Sequence, residues 1–347
     1  MSDSSSDKHL GFTPELYPAG THACYMYCDE TERRSVVHPF VLAGLQDDET
    51  VHYLADAIPA ELFGRALDDR SAATLSRSQL SRLHVVSALE HYCPAGEFIA
   101  HDVLERLRQI YAASRTNGSS GCRLAGETSW LSPEIPGSED IVFSESSINA
   151  LLPSAPITLM CEYDTELFDG LTLFEILSVH PLMVIHGQVM RNPYYVGPDE
   201  YLAALRHPGL LKKSSLENVL GQLLLVELVL TGLPDELRMA EFVRGALLMV
   251  PGVRNTHIVL TTTIIPNDDR LESIRQRCFE AAKEPSSLDV AAIRDEAHGT
   301  IYLMRSTSRL FGVIIVEVDD ADAFAPYQDF LFNIANAVAM AQDSWRD

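Results

Sequence analysis

The stretch from Thr21 to Asp56 constrains this chain more than any other. THACYMYC reads as a strand, ERRSVVHPFVLAGLQ as a helix and TVHYLAD as a second strand. A strand, a helix and a strand at that spacing make the parallel unit that opens many nucleotide-binding α/β domains. In a phosphate-binding version the turn after the first strand is glycine-rich and carries a Lys for the β- and γ-phosphates. Here that turn is CDETERRS.

The wider sequence has no lysine between Lys8 and Lys212 and no Gly-Lys pair anywhere. Asp29, Glu30 and Glu32 stand where backbone amides would otherwise meet a phosphate, and like charge there opposes an anion. A standard Walker A loop is therefore excluded from the N-terminal half. Asp164 ends ITLMCEYD in the manner of a Walker B strand, but without that loop it has no nucleotide-bound Mg²⁺ to hold.

Alternation of strands and helices continues to about Arg191. The further strands are LHVVSA, GCRLAGE, ITLMCEYD and LMVIHGQV. Between the strands lie the helical patterns PAELFGRALDD, EFIAHDVLERLRQIYAASR, SESSINALLPS and ELFDGLTLFEILSVH. This order predicts an α/β fold with a largely parallel sheet and helices on both faces. The helix that starts at Glu97 sets Phe98, Val103, Leu104, Leu107 and Ile110 on one apolar face.

At 347 residues the chain is long enough for two domains. We place a disordered tail at 1–16, the first domain at 17–205 and a second at 206–347. A proline-containing connector, NPYYVGPDEYLAALRHPGLLKKSS, spans the join. After it come the helical stretches LENVLGQLLLVELVLTGL and PDELRMAEFVRGALLMV. The strands NTHIVLTTTII, TIYLMRST and LFGVIIVEVDD follow, with a charged helical stretch from Asp268 to Ala297 between the first two. A final amphipathic helix is FAPYQDFLFNIANAVAMAQDSW. Helices, a β-meander and a closing helix describe an α+β module.

The net charge is −23, with 13 basic and 29 acidic residues up to position 210 and 13 and 20 beyond it. Such a surface repels nucleic acid. The polar start MSDSSSDKHLGF has no apolar core, and no apolar run approaches the roughly 20 residues that span a bilayer. We expect a cytoplasmic protein without a membrane partner. The six cysteines are scattered among apolar neighbours rather than spaced as a framework, which suits buried reduced thiols.

Three clusters resemble a known family: PAGTHACYMYCDETERRSVVHPFVLAGLQDDETVHYLAD, then RLAGETSWL, then CEYDTELFDGLTLFEILSVHPLMVIHGQVMRNPYYVGPDEYL. In order and spacing they resemble the MEDS domain, the sensory module of methanogen and methylotroph regulators typified by the dichloromethane-responsive repressor. The likeness implies a RecA/KaiC-like core that has lost its nucleotide chemistry and senses small hydrocarbon-type ligands. It further implies that His22 and Cys24 are the family's His and Cys beside the first strand. Gly126, Glu127 and Trp130 match its Gly-Glu-x-x-Trp, and Cys161, Tyr163 and Asp164 its Cys-x-Tyr-Asp. The second domain is similar to GAF domains, chiefly in the ending RLFGVIIVEVDDADAFAPYQDFLFNIANAVAMA, although its long helical middle departs from that pattern.

His22 and Cys24 lie two apart on a strand and so share a face. With Cys161 they form either a polar lining of an apolar pocket, a soft metal or haem site, or plain core; paired Cys-x-x-Cys or His-x-His spacing is missing, and we assign no metal and no cofactor. Glu127 and Trp130 follow a strand, where parallel sheets bind ligands, or else they serve as a capping carboxylate and a packed ring. His180 precedes Pro181 and reads as a helix end. Glycine-rich, G-x-S-x-G and HExxH motifs are missing, so no enzyme is expected.

The expected function is a cytoplasmic sensor. It binds a small, mainly apolar molecule through His22, Cys24, Glu127, Trp130, Cys161 and Tyr163 and passes the change to the GAF-like domain and a protein partner, as a homodimer. The alternatives are a dimeric scaffold without ligand and a residual NTP-binding RecA-like protein.

Overall fold

His22–Tyr27 is buried at every position, a pattern that requires a strand covered on both faces. In the computed structural model it is β3. The structure describes residues 7–55, 75–192, 194–206, 229, 232–262, 271–274, 276, 292–295, 299–305, 310–328, 331, 334–335 and 338–339. The chain divides into two compact units, Met1–Leu167 with Glu175–Gly209, and Phe168–Phe174 with Leu210–Asp347.

The first unit opens with β1 (Lys8–His9) and β2 (Leu16–Tyr17), followed by β3, α1 (Glu30–Gln46) and β4 (Thr50–Leu54). Then come α2 (Arg77–Leu80), β5 (Leu83–Val86), α3 (Ala88–Tyr92), α4 (Ala100–Thr116), β6 (Cys122–Glu127) and α5 (Ile141–Leu151). It closes with β7 (Ile157–Asp164), the second half of α6 (Gly170–Ser178, whose residues up to Phe174 belong to the second unit), β8 (Leu182–Ile185), β9 (Gln188–Arg191) and α7 (Pro198–Arg206). Seven strands form one sheet in the order β5-β4-β6-β7-β3-β8-β9. Every neighbouring pair is parallel except β8 with β9, as the alternating pattern predicts.

Two expectations in this unit need correction. LMVIHGQV is not one strand. His186 and Gly187 take φ of 49° and 72°, a two-residue turn that folds β9 back antiparallel on β8. Residues 8–16, expected within a disordered tail, are built into the fold: β1 pairs with β2, and Leu10 is buried at 2% exposure. The physical reason is charge. Lys8 Nζ lies 2.8 Å from Glu49 Oε1, Arg123 Nε donates to Glu49 Oε2 at 2.7 Å, and Arg123 Nη2 donates to the His9 carbonyl at 2.8 Å.

In the second unit α8 (Glu236–Leu248) is capped by the Asp235 carboxylate, which accepts from Arg238 N. The strands β10 (Val253–Leu260), β11 (Ala292–Asp295), β12 (Gly299–Arg305) and β13 (Leu310–Val318) form an antiparallel sheet in the order β10-β13-β12-β11. Val259, Ile301, Leu303, Val313 and Ile315 build its core. A short helix, α9 (Ala321–Phe324), follows. The charged stretch expected as helix to Ala297 contains β11 instead, because pairing with β12 overrides local charge pattern there.

Other expected elements lie outside the described residues: the helix over 59–69, most of the helix over 216–233, most of the rest of 268–297, and parts of the closing helix. Among the described residues no helix is long and apolar enough to cross a membrane.

Candidate functional site

Alternation along β3, β6 and β7 sorts the polar side chains onto two faces of the sheet. Ala23, Tyr25 and Tyr27 of β3, Ala125 of β6 and Met160 of β7 pack in one core with Val36, Val37, Phe40 and Val41 of α1. Toward that face point Arg33, Tyr53, Glu127 and Glu162. Leu124 and Leu159 pack on the other side with Val103 and Leu107 of α4 and Ile141, Ile148 and Leu151 of α5. On that side lie His22, Glu145, Cys161 and Tyr163.

The α1 face is built around a buried guanidinium. Asp29 caps α1 by accepting from Thr31 N at 2.7 Å and Glu32 N at 2.8 Å, which points the first turn inward. Arg33 Nη1 then donates to Glu127 Oε1, to Glu162 Oε2 at 3.1 Å and to Tyr53 OH at 2.9 Å. Its Nε donates to Glu30 Oε2 at 2.8 Å. Tyr53 OH donates to Glu127 Oε1 at 2.9 Å. Burial pushes the Glu162 carboxyl up to about 8, with Glu127 adding to the shift and Arg33 opposing it. Two carboxylates around one guanidinium in the interior thus leave Glu162 preferring its proton. Glu127, expected on a ligand crevice, is 0% exposed and held by Arg33 and Tyr53.

On the opposite face the four side chains of His22, Glu145, Cys161 and His180 are all buried, each with a donor atom within 4.8 Å of the others. His22 Nε2 lies 3.2 Å from Glu145 Oε2 and 3.4 Å from Cys161 Sγ. His180 Nε2 lies 3.4 Å from Glu145 Oε2, and Cys161 Sγ lies 3.5 Å from the same oxygen. The other Glu145 oxygen accepts from Tyr163 OH at 2.7 Å. Burial opposes ionisation of Glu145, but His180 and His22 outweigh it and hold the carboxyl below its ordinary range. Burial, then His180, pushes the His22 imidazolium down. Burial, then Glu145, pushes both the Cys161 and Cys24 thiols up.

A second layer fixes these rings. Asn149 Nδ2 donates to the carbonyls of Val179 at 2.7 Å and Glu145 at 3.2 Å, which turns its Oδ1 toward His22 Nδ1 at 3.0 Å. His180 Nδ1 faces the Ile176 carbonyl at 2.7 Å, and Asn192 Nδ2 donates to the His180 carbonyl at 2.8 Å.

Of the six expected site residues, His22, Cys161 and Tyr163 therefore meet around Glu145. Cys24 shares their face and stands in register beside Cys161. Glu127 is on the other face. Trp130 stacks between Tyr92 and Phe98, with ring centroids at 4.9 and 5.3 Å. Tyr92 in turn walls a small cavity of about 10 Å³, lined also by Leu107, Leu124, Leu159, Glu145 and Cys161. A larger groove of about 220 Å³, lined by Leu104, Arg108, Ala150 and Leu202, contains none of the cluster.

Sequence reasoning missed Arg33, Glu145 and Asn149 and read His180 as structural. A signal for Glu145 was present: it carries the only charge in the α5 sequence IVFSESSINAL. Another acidic group, Cys28, Asp29 and Glu32, has local explanations, since Asp29 caps α1 and Glu32 Oε1 lies 3.1 Å from His186 Nδ1.

Residues 21–181 match the MEDS family. Its description is "MEthanogen/methylotroph, DcmR Sensory domain". The MEDS segment holds β3 through α6 and all four residues of the buried His, Cys and Glu cluster. No curated protein matches the chain. Among solved structures it is similar to a KaiC-like protein from the hyperthermophilic archaeon Pyrococcus horikoshii OT3, at 14% identity and a TM-score of 0.33, covering 48% of this chain and 71% of that one.

Proposed function

We propose that this protein is a signal-transduction sensor whose MEDS segment has exchanged nucleotide handling for recognition of a small, mainly apolar molecule. The observation that carries the reading is the Arg33 side chain. It brings a fixed cation into the strand-end region where a phosphate loop would face its ligand, and Glu127 and Glu30 already neutralise it while Glu162 accepts a hydrogen bond from it. Recognition then falls to the opposite face, where apolar side chains surround a cavity with a polar end at Glu145 and Cys161. At about 10 Å³ that cavity holds barely one water, so a ligand must select a more open conformer, and the difference between closed and open states is the signal.

In this reading the core is RecA/KaiC-like, the second unit is GAF-like, the protein is a homodimer that is not an enzyme, and a protein partner carries the output. The test is native mass spectrometry and thermal shift of the full chain against a panel of short hydrocarbons and halocarbons, with ATP and Mg²⁺ in parallel. A raised Tm with one or more panel members, reduced in Leu124→Phe, and none with ATP supports the sensor. A shift with ATP and Mg²⁺ alone would overturn it in favour of a residual nucleotide-binding protein, and no shift with either would favour a scaffold.

A further inference from the structure

The protons around Glu145 do not add up for a simple hydrogen-bonded core. Asn149 is oriented by its two donations to carbonyls, so it offers His22 an acceptor, and His22 Nδ1 carries the hydrogen. His180 Nδ1 likewise faces a carbonyl oxygen and carries its hydrogen. In the neutral rings both Nε2 atoms are then bare lone pairs. They converge on Glu145 Oε2, itself an acceptor, to which the Cys161 thiol brings a proton, while Tyr163 OH donates to the other carboxylate oxygen. His180 Nε2 makes no hydrogen bond although its side chain is 0% exposed. Four electron-pair donors that face one another in a dry interior are satisfied when a cation sits between them.

The spacing says which kind. Metal–ligand bonds of about 2.0–2.3 Å to nitrogen, oxygen and sulfur set neighbouring tetrahedral donors about 3.3–3.7 Å apart. Four of the six separations are 3.2, 3.4, 3.4 and 3.5 Å, and the other two, from His180 to His22 and to Cys161, are within 4.8 Å. Two imidazoles, one thiolate and one carboxylate suit a borderline-soft ion with tetrahedral preference. The remaining ring nitrogens and carboxylate oxygen are held by Asn149, Ile176 and Tyr163, the outer layer that orients ligands in metal sites.

We propose that His22, Glu145, Cys161 and His180 form a buried four-coordinate site for a divalent metal ion of the zinc type. Binding joins the metal to the Cys161 sulfur and releases the thiol proton to solvent. With four protein ligands the site has no open position, so its role is to tie β3, α5, β7 and the α6–β8 turn together rather than to activate water. This inference is argued from the cluster alone, although two of its residues, Glu145 and Cys161, also line the cavity of the sensing reading.

The test is a cobalt(II) titration of the chelator-treated full chain, followed by X-ray absorption spectroscopy of the zinc-loaded protein. We expect one cobalt per chain with tetrahedral d–d absorption and a thiolate-to-cobalt charge-transfer band. Cys161→Ser loses that band, His180→Gln weakens binding at least tenfold, and Cys28→Ser changes nothing. The zinc spectrum should show a shell of one sulfur and three nitrogen or oxygen atoms with imidazole scattering. That spectrum decides the matter on the wild-type chain should a variant fail to fold. A wild-type chain that binds no cobalt, a shell without sulfur, or unchanged affinity in folded His180→Gln overturns the site.

Discussion

Arg33 Nη1, in the first turn of α1, lies 3.1 Å from Glu162 Oε2 on β7, 129 residues further along the chain. The same nitrogen serves Glu127, so one buried guanidinium joins three elements of the first unit. Removing it leaves two buried carboxyls without a cation. We expect Arg33→Met to lower unfolding stability by about 3–5 kcal/mol, and Glu162→Gln added to it to restore part of the loss. Urea denaturation of the two variants measures both. A loss of less than about 1 kcal/mol in the single variant would show the network to be dispensable.

ATP with Mg²⁺ should not stabilise the protein, because the turn after β3 offers carboxylates and an arginine that is already paired. A ligand at a hundred times its Kd stabilises by about 2.7 kcal/mol, which a thermal-shift assay reads as a rise of several degrees. Millimolar ATP should give no such rise in the wild-type chain or in Arg33→Met, since neither supplies a phosphate-binding lysine.

Acid should weaken the first unit through His52 before general unfolding begins. His52 stacks on His84 with centroids 4.7 Å apart, and burial first, then His84 and His91, pushes its imidazolium down to about 4. A depressed histidine contributes stability that is complete above its unfolded value near 6.5 and is lost as pH falls toward 4. The shift corresponds to at most about 3 kcal/mol. His52→Gln should flatten the stability profile across that window, as seen by denaturation at stepped pH. A variant with the wild-type slope would assign the effect elsewhere.

Gly252 sets the turn into β10. Its φ is 82°, and a Cβ there would meet the Asp320 carbonyl oxygen at 2.3 Å. Backbone cannot yield as a flexible side chain can, so Gly252→Ala combines left-handed strain with a clash and should destabilise the second unit by about 2 kcal/mol or more. Hydrogen exchange of β10 and β13 would show it as faster opening, with protection in β3 and β7 unchanged.

Glu49 closes the N-terminal hairpin through Lys8 and Arg123. Glu49→Gln removes the anion shared by two buried cations, and we expect a loss of about 3 kcal/mol with earlier proteolytic cleavage in residues 7–17. Cleavage no faster than wild type would mean that Leu10 alone anchors the hairpin.

The sequence by itself determined the parallel sheet, because runs such as HACYMY and ITLMCEYD are largely apolar and alternate with helical patterns. It also determined the loss of a phosphate loop, since no lysine stands where one is needed. Local pattern fails where meaning depends on partners far away in the chain. It could not show that Arg33 reaches Glu127 and Glu162, nor that LMVIHGQV folds back on itself at His186 and Gly187. His180 read as a helix end, and it is one, with His180 N bonded to the Leu177 carbonyl. Only the parallel register of β3 beside β7 and β8, with α5 laid across them, brings His22, Glu145, Cys161 and His180 together. The physical reason is that strand periodicity fixes which face a side chain takes, whereas the order of strands in the sheet decides which side chains share it.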